Sequence, residues 1–157
     1  MEIKNFFEFN FKSLKLFLHK DLEVEEKKVS MRSKQIWQSV YKKGSFEISN
    51  LTTFPLELRS KLNSFISLKK PKILKTQTST DGTIKWLIKL FDSNEVECVY
   101  IPEKTRATLC ISSQVGCTLN CRFCHTGTQR LVKNLSFAEI INQVMIAKEQ
   151  LNDWSEK

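Results

Sequence analysis

Cys117, Cys121 and Cys124 form a Cys-x-x-x-Cys-x-x-Cys run, with Phe123 directly before the last thiol. Three thiolates this close together on one segment suit a compact iron–sulfur cube rather than a lone ion. A [4Fe-4S] cube held by three cysteines keeps one iron without a protein ligand. That iron can take the amino and carboxylate groups of S-adenosylmethionine and pass it an electron, which is radical chemistry. Structural zinc normally wants four Cys or His ligands in paired modules, and no second pair is present. His125 as a fourth zinc ligand would have to fold back from beside Cys124 onto the same ion. Unmetallated, buried cysteines are the other alternative, because a free thiol packs as a small hydrophobe. Ligand softness and count favour the cluster.

Such a loop needs a scaffold. A chain of 157 residues, 41% hydrophobic, has room for one ordinary domain or two small ones with a packed core. No apolar stretch approaches a membrane span, and the phenylalanines near the start are mixed with charges instead of forming a signal-peptide core. The expectation is a soluble, cytoplasmic protein. Five cysteines, three of them crowded together, fit a reducing compartment and metal binding better than a disulfide framework.

The net charge of +8 is uneven: residues 1–75 hold 16 Lys and Arg against 8 Asp and Glu, and residues 76–157 hold 9 against 9. A basic module joined to a neutral module with metal ligands points to a first half that grips a polyanion and a second that does chemistry. Solvated lysine-rich surface, as at Lys69-Lys70-Pro71-Lys72, is the plainer reading of the same charge.

Helical spacing joins Phe7, Phe11, Leu14 and Leu18, then Ile36, Trp37, Val40 and Tyr41 before the stop at Gly44, then Leu58, Leu62, Phe65 and Ile66 between Pro55 and Pro71. The aromatic residues on these stripes read as core rather than as base-stacking platforms. From residue 73 the period changes. Asp81-Gly82 marks a hairpin; Ile84, Trp86, Ile88 and Leu90 alternate with Lys85 and Lys89, and Val96, Cys98 and Tyr100 with Glu95 and Glu97. These runs predict an antiparallel three-stranded meander over 73–101. A further strand, Ala107 to Ser112, leads into the cysteine loop, and the capping-box pattern Ser136 to Glu139 opens a helix with Phe137, Ile140, Ile141, Val144 and Met145 as its buried face. Strand, metal loop and helix together predict the first βα unit of a larger parallel sheet or barrel. The expected class is α+β followed by α/β: a basic helical RNA-binding domain at 1–72, a meander at 73–101 and the start of a barrel at 102–157.

The stretch carrying Glu97-Cys-Val-Tyr-Ile-Pro-Glu103, Arg106-Ala-Thr-Leu-Cys110, Ser113-Gln-Val-Gly-Cys117 and Cys121-Arg-Phe-Cys124 resembles the RlmN and Cfr family of radical S-adenosylmethionine RNA methyltransferases. Asp81-Gly-Thr-Ile-Lys-Trp86 and the basic helical start match in order and position. The resemblance implies methylation of carbon 2 of adenine in 23S ribosomal RNA, with transfer RNA as a second substrate. It implies a [4Fe-4S] cluster on Cys117, Cys121 and Cys124 that cleaves S-adenosylmethionine, and Phe123 packed near the cofactor's adenine. Glu97 matches the family's proton acceptor. Cys110 matches the thiol that forms a transient disulfide and releases the RNA adduct. By pattern alone, Glu97 would be an exposed strand residue and Cys110 a core thiol.

The family also uses a second catalytic cysteine, a glycine-rich cofactor segment and further barrel units, none of which this sequence contains; Cys98 reads as an inward strand residue and not as a substitute. The expectation is an N-terminal fragment that is inactive alone. Its partners would be ribosomal and transfer RNA and an electron donor for the cluster, with no membrane and with the chain as a monomer. A non-catalytic RNA-binding module and a zinc-stabilised adaptor are the competing function classes.

Overall fold

Asparagine side chains open the first turns. Residues Lys4–Asn5 form the short strand β1, and Asn5 Oδ1 accepts from the Phe7 N–H to start a 3-10 turn at Phe6–Glu8. Asn10 accepts from the Ser13 N–H while the Ser13 hydroxyl accepts from the Asn10 N–H, a reciprocal cap on α1 (Phe11–Lys20). This cap is why Phe7 is not in the helix that its spacing predicts: the chain is extended at Asn10 and becomes helical only at Phe11. Helix α2 (Glu26–Tyr41) and α3 (Leu56–Phe65) follow, and the chain extends at Ile66 into β2 (Ile66–Ser67), which pairs in parallel with β1. The expected third helix thus ends one residue early.

The computed structural model describes residues 3–118 and 128–154. It divides into two compact units, Met1–Lys69 with Lys148–Lys157, and Lys70–Ala147. In the first unit Phe6, Phe7, Leu14, Leu18, Ile36 and Leu62 are wholly buried. Trp37 and Tyr41, half-buried, pack against the buried Phe6 ring with centroids 6.1 and 5.9 Å away. Gly44, at φ +67°, reverses the chain after α2, and a Cβ there would lie 2.3 Å from the Trp154 ring.

In the second unit, strands β3 (Lys72–Thr78), β4 (Ile84–Lys89), β5 (Glu95–Pro102) and β6 (Ala107–Cys110) form one antiparallel sheet in chain order. Asx turns shape its first two hairpins: Asp81 Oδ1 accepts from the Thr83 N–H and Asp92 Oδ1 from the Asn94 N–H. Trp86, Ile88, Val96 and Cys98 bury one face, and Lys85, Lys89, Glu95 and Glu97 lie on the other, as the alternation predicts. Strand β6 departs from expectation. It pairs antiparallel with β5 as a fourth strand, because the Glu103 N–H bonds to the Arg106 carbonyl at 2.8 Å and closes a turn far shorter than a parallel crossover needs. Among the described residues from β3 onward, every strand pairing is antiparallel.

Strands β7 (Gln114–Val115) and β8 (Lys133–Asn134) form a small antiparallel clasp, followed by α4 (Phe137–Leu151), whose residues to Ala147 belong to this unit. The predicted capping box is present, with the Glu139 carboxylate accepting from the Ser136 N–H and the Ser136 hydroxyl from the Glu139 N–H. The predicted buried face of α4 is rotated. Met145 is buried as expected, but Phe137 is 58% exposed and Ile140, Ile141 and Val144 are half-buried, whereas Ala138, Asn142, Gln143 and Ile146 are buried. Among the described residues, no helix is long and apolar enough to cross a membrane.

Candidate active site at the sheet face

The alternation that buries Val96 and Cys98 turns Glu97 to the opposite face of β5, where Lys85 Nζ stands 2.9 Å from its carboxylate. Cys110 pairs opposite Val99 and so shares the face of Glu97; it is exposed. Both line a cleft of about 530 Å³ whose far side is built by Val115, Gly116 and Gln129, at the neck of the cysteine loop. Cys98 is fully buried on the other side of the sheet, and burial, followed by the charge of Cys110, pushes its thiol up to about 11. That agrees with its reading as an inward strand residue.

The clasp of β7 and β8 closes the cysteine loop at its base. Gln114 and Val115 pair with Asn134 and Lys133, the Val132 N–H bonds to the Val115 carbonyl at 2.8 Å, and the Cys117 N–H bonds to the Gln129 carbonyl at 3.2 Å. Gly116 lies at φ +77°, and a Cβ there would sit 2.0 Å from the Arg130 carbonyl oxygen, so only glycine fits this crossing. Cys117 is half-buried beside that crossing. Cys121, Phe123 and Cys124, with the zinc candidate His125, lie outside the described residues. None of Cys98, Cys110 and Cys117 is in a disulfide, and among the described residues no group of three His, Cys, Asp or Glu side chains gathers around a metal position. A cysteine fixed at the closed base of a loop that carries two more thiols is a donor set that fits an iron–sulfur cluster.

Two positioning groups carry no motif. Gln143 is wholly buried in α4. Its Oε1 accepts from the Ser112 N–H at 2.8 Å and its Nε2 donates to the Ser112 carbonyl at 2.8 Å, while the Ser112 hydroxyl donates to the Glu97 carbonyl at 2.8 Å. The segment between Cys110 and the cysteine loop is thereby tied to both α4 and β5. The signal in the sequence is a polar residue set among Ile140, Ile141 and Val144. Lys133, in β8, reaches both Asp92 and Glu139. The hydrogen bond from Lys133, then that from Asn94, brings the Asp92 carboxyl down to about 2. Burial raises Glu139, but bonds from Lys133 and Ser136 outweigh it and leave it below the ordinary carboxylate value. No local pattern marks Lys133 in advance.

No family model matches the chain. Among curated proteins it is 50% identical over 133 residues to the dual-specificity RNA methyltransferase RlmN of Rhodopseudomonas palustris strain BisB5, covering 81% of this chain and 33% of that protein. It is 48% identical to the protein of the same description from Nitrobacter winogradskyi, over 81% of this chain and 34% of that protein. To that of Bradyrhizobium sp. strain ORS 278 it is 46% identical, over 87% and 36%. Among solved structures, a radical SAM methyltransferase from Sphaerobacter thermophilus superposes with a TM-score of 0.82 at 29% identity, over 95% of this chain and 42% of that one. The chain spans about a third of the length of the curated relatives it matches. At about half identity over four-fifths of its residues, with a shared fold, the chain belongs to the RlmN family.

Proposed function

We propose that this chain supplies the RNA-gripping and cluster-binding parts of a cytoplasmic radical S-adenosylmethionine methyltransferase acting on carbon 2 of adenine in 23S ribosomal RNA and in transfer RNA. The observation that carries the reading is the cleft shared by Glu97, Cys110 and the neck of the cysteine loop. Cys117, Cys121 and Cys124 would hold a [4Fe-4S] cluster, with Phe123 against the cofactor's adenine. When bound, the cluster supplies one electron to S-adenosylmethionine, which gives access to carbon-centred radical chemistry at an aromatic carbon that resists polar methylation.

The chain's own residues have separate tasks. Glu97 stands ready to accept the ring proton, and Lys85 at 2.9 Å fixes the direction of its carboxylate. Cys110, exposed on the same face, is accessible as the thiol that releases the RNA adduct. The second catalytic cysteine and the rest of the partial barrel would come from the two-thirds of the relatives' length that this chain does not span. The partners would be RNA and an electron donor, with the protein acting as a monomer.

Anaerobic reconstitution with iron and sulfide tests the centre. The chain should turn brown, with a broad visible band that responds to S-adenosylmethionine and disappears in Cys117→Ala, Cys121→Ala and Cys124→Ala. A colourless protein with one bound zinc overturns the reading. Given cluster, cofactor, reductant and RNA, the chain alone should form no methylated adenine. Joined to the downstream portion of the Rhodopseudomonas palustris relative, it should yield 2-methyladenosine in RNA digests, and a methyl group on any other ring carbon would sink the assignment of the target.

A further inference from the structure

The cleft opens on the solvent face of the β3–β6 sheet, and the register of that sheet sets lysines on the same face. Lys72 pairs opposite Lys89, which in turn pairs opposite Glu95; in the next row Lys75 pairs opposite Leu87, which pairs opposite Glu97. Lys85 is already engaged by Glu97. Lys72, Lys75 and Lys89 are exposed and make no ion pair among the described residues, even though Glu95 faces Lys89.

A wet sheet face commonly carries lysine, and lysines on an edge strand guard it against pairing with another chain. That accounts for Lys72 and Lys75 on β3. The edge argument does not reach Lys89, which stands on the interior strand β4. Nor does it account for two lysines paired across strands on one face, a like-charge pairing that a sheet left to its own stability disfavours. An anion lying across the pair removes that cost.

We propose that this face is a track for a nucleic-acid backbone, on which Lys72, Lys75 and Lys89 bind phosphates of the RNA strand whose adenine enters the cleft. The proposal rests on the RNA methyltransferase reading and adds to it a second contact surface, outside the basic helical segment that the charge distribution singles out. Phosphate contacts of this kind fix position and orientation and carry no sequence information. The base would be selected in the cleft, and the lysines would set how far along the strand that base lies.

The test is the salt dependence of binding of the full chain to a short, labelled, adenine-containing single-stranded RNA. The triple variant K72A/K75A/K89A, all exposed positions, should lower the slope of log affinity against log salt by about 2, from roughly 0.7 per lost phosphate contact, and weaken binding at least about tenfold at low salt. K12A/K34A/K42A, in the first unit, serves as the comparison. The track is overturned if the sheet variant keeps both slope and affinity, if the unmodified chain binds no RNA, or if it prefers anionic vesicles to RNA. Cluster assembly in the sheet variant is read separately by its visible absorbance and should be unchanged. Loss of RNA binding with the cluster retained supports the track, and a chain that takes no cluster yet shows the slope change sinks the enzymatic reading while leaving the track in place.

Discussion

Gln143 holds Ser112 by both of its backbone groups, accepting from the N–H and donating to the carbonyl, each at 2.8 Å. The carboxamide acts as one rung of a sheet ladder offered by a helix. It satisfies a stretch of chain that has left β6 and has not yet reached β7.

Gln143→Leu keeps the volume and removes both bonds, leaving a buried donor and a buried acceptor unpaired. The expected loss is about 2–4 kcal/mol by urea denaturation. Gln143→Glu retains the acceptor alone and should fall between the two. A Leu variant as stable as the parent would show that Ser112 is not held from α4.

Gly116→Ala adds a Cβ at φ +77° and forces it against the Arg130 carbonyl. The neck of the loop must open to admit it, at a cost of about 2 kcal/mol or more. Iron incorporated per chain on anaerobic reconstitution should drop with it, although no metal ligand has been changed. Full iron loading in this variant would mean that the clasp does not govern the loop.

The acid limb of stability should depend on Lys133. Asp92, held down to about 2, is a carboxyl with a depressed folded value; its contribution is present above its unfolded value near 4 and is lost as pH falls toward about 2. Glu139 shifts in the same direction, and Lys133 stays charged throughout that window because both partners raise it. Urea midpoints measured from pH 5 to 2 should therefore fall less steeply in Lys133→Met than in the parent. Parallel curves would remove the ion-pair account.

The two meander thiols should separate in alkylation at pH 8. Cys110 is exposed, whereas Cys98 is buried with its thiol pushed to about 11, so about one in a thousand Cys98 groups is thiolate at that pH. Peptide mapping after iodoacetamide should find Cys110 labelled in the native chain and Cys98 only after unfolding.

Much of this could be read from residue order because the physics is local. Ile84 to Leu90 and Glu95 to Tyr100 alternate except at Leu87 and Val99, and the structure buries Trp86, Ile88, Val96 and Cys98 as the period requires. The Ser136 and Glu139 cap is likewise a three-residue matter. What escaped was decided at long range. Phe137 and Gln143 exchange places between core and solvent because Gln143 finds a backbone partner 31 residues away, which hydropathy cannot register. Strand β6 was legible as a strand but not in its direction, since the hydrogen bond from Glu103 to Arg106 and not the apolar pattern fixes it. At the site, Glu97 and Cys110 could be named from the motif. Their common face follows only from the register of Val99 with Cys110.

The indole of Trp154 fills the space over Gly44 and touches the Phe46 ring edge-on, with centroids 5.8 Å apart. A turn in the first half of the chain is thus completed by a side chain from beyond the end of α4. Until Trp154 leaves the ribosome, the turn after α2 has no lid and the helices around it wait unfinished. Expressing them without the segment that carries Trp154 would leave that hollow open to water.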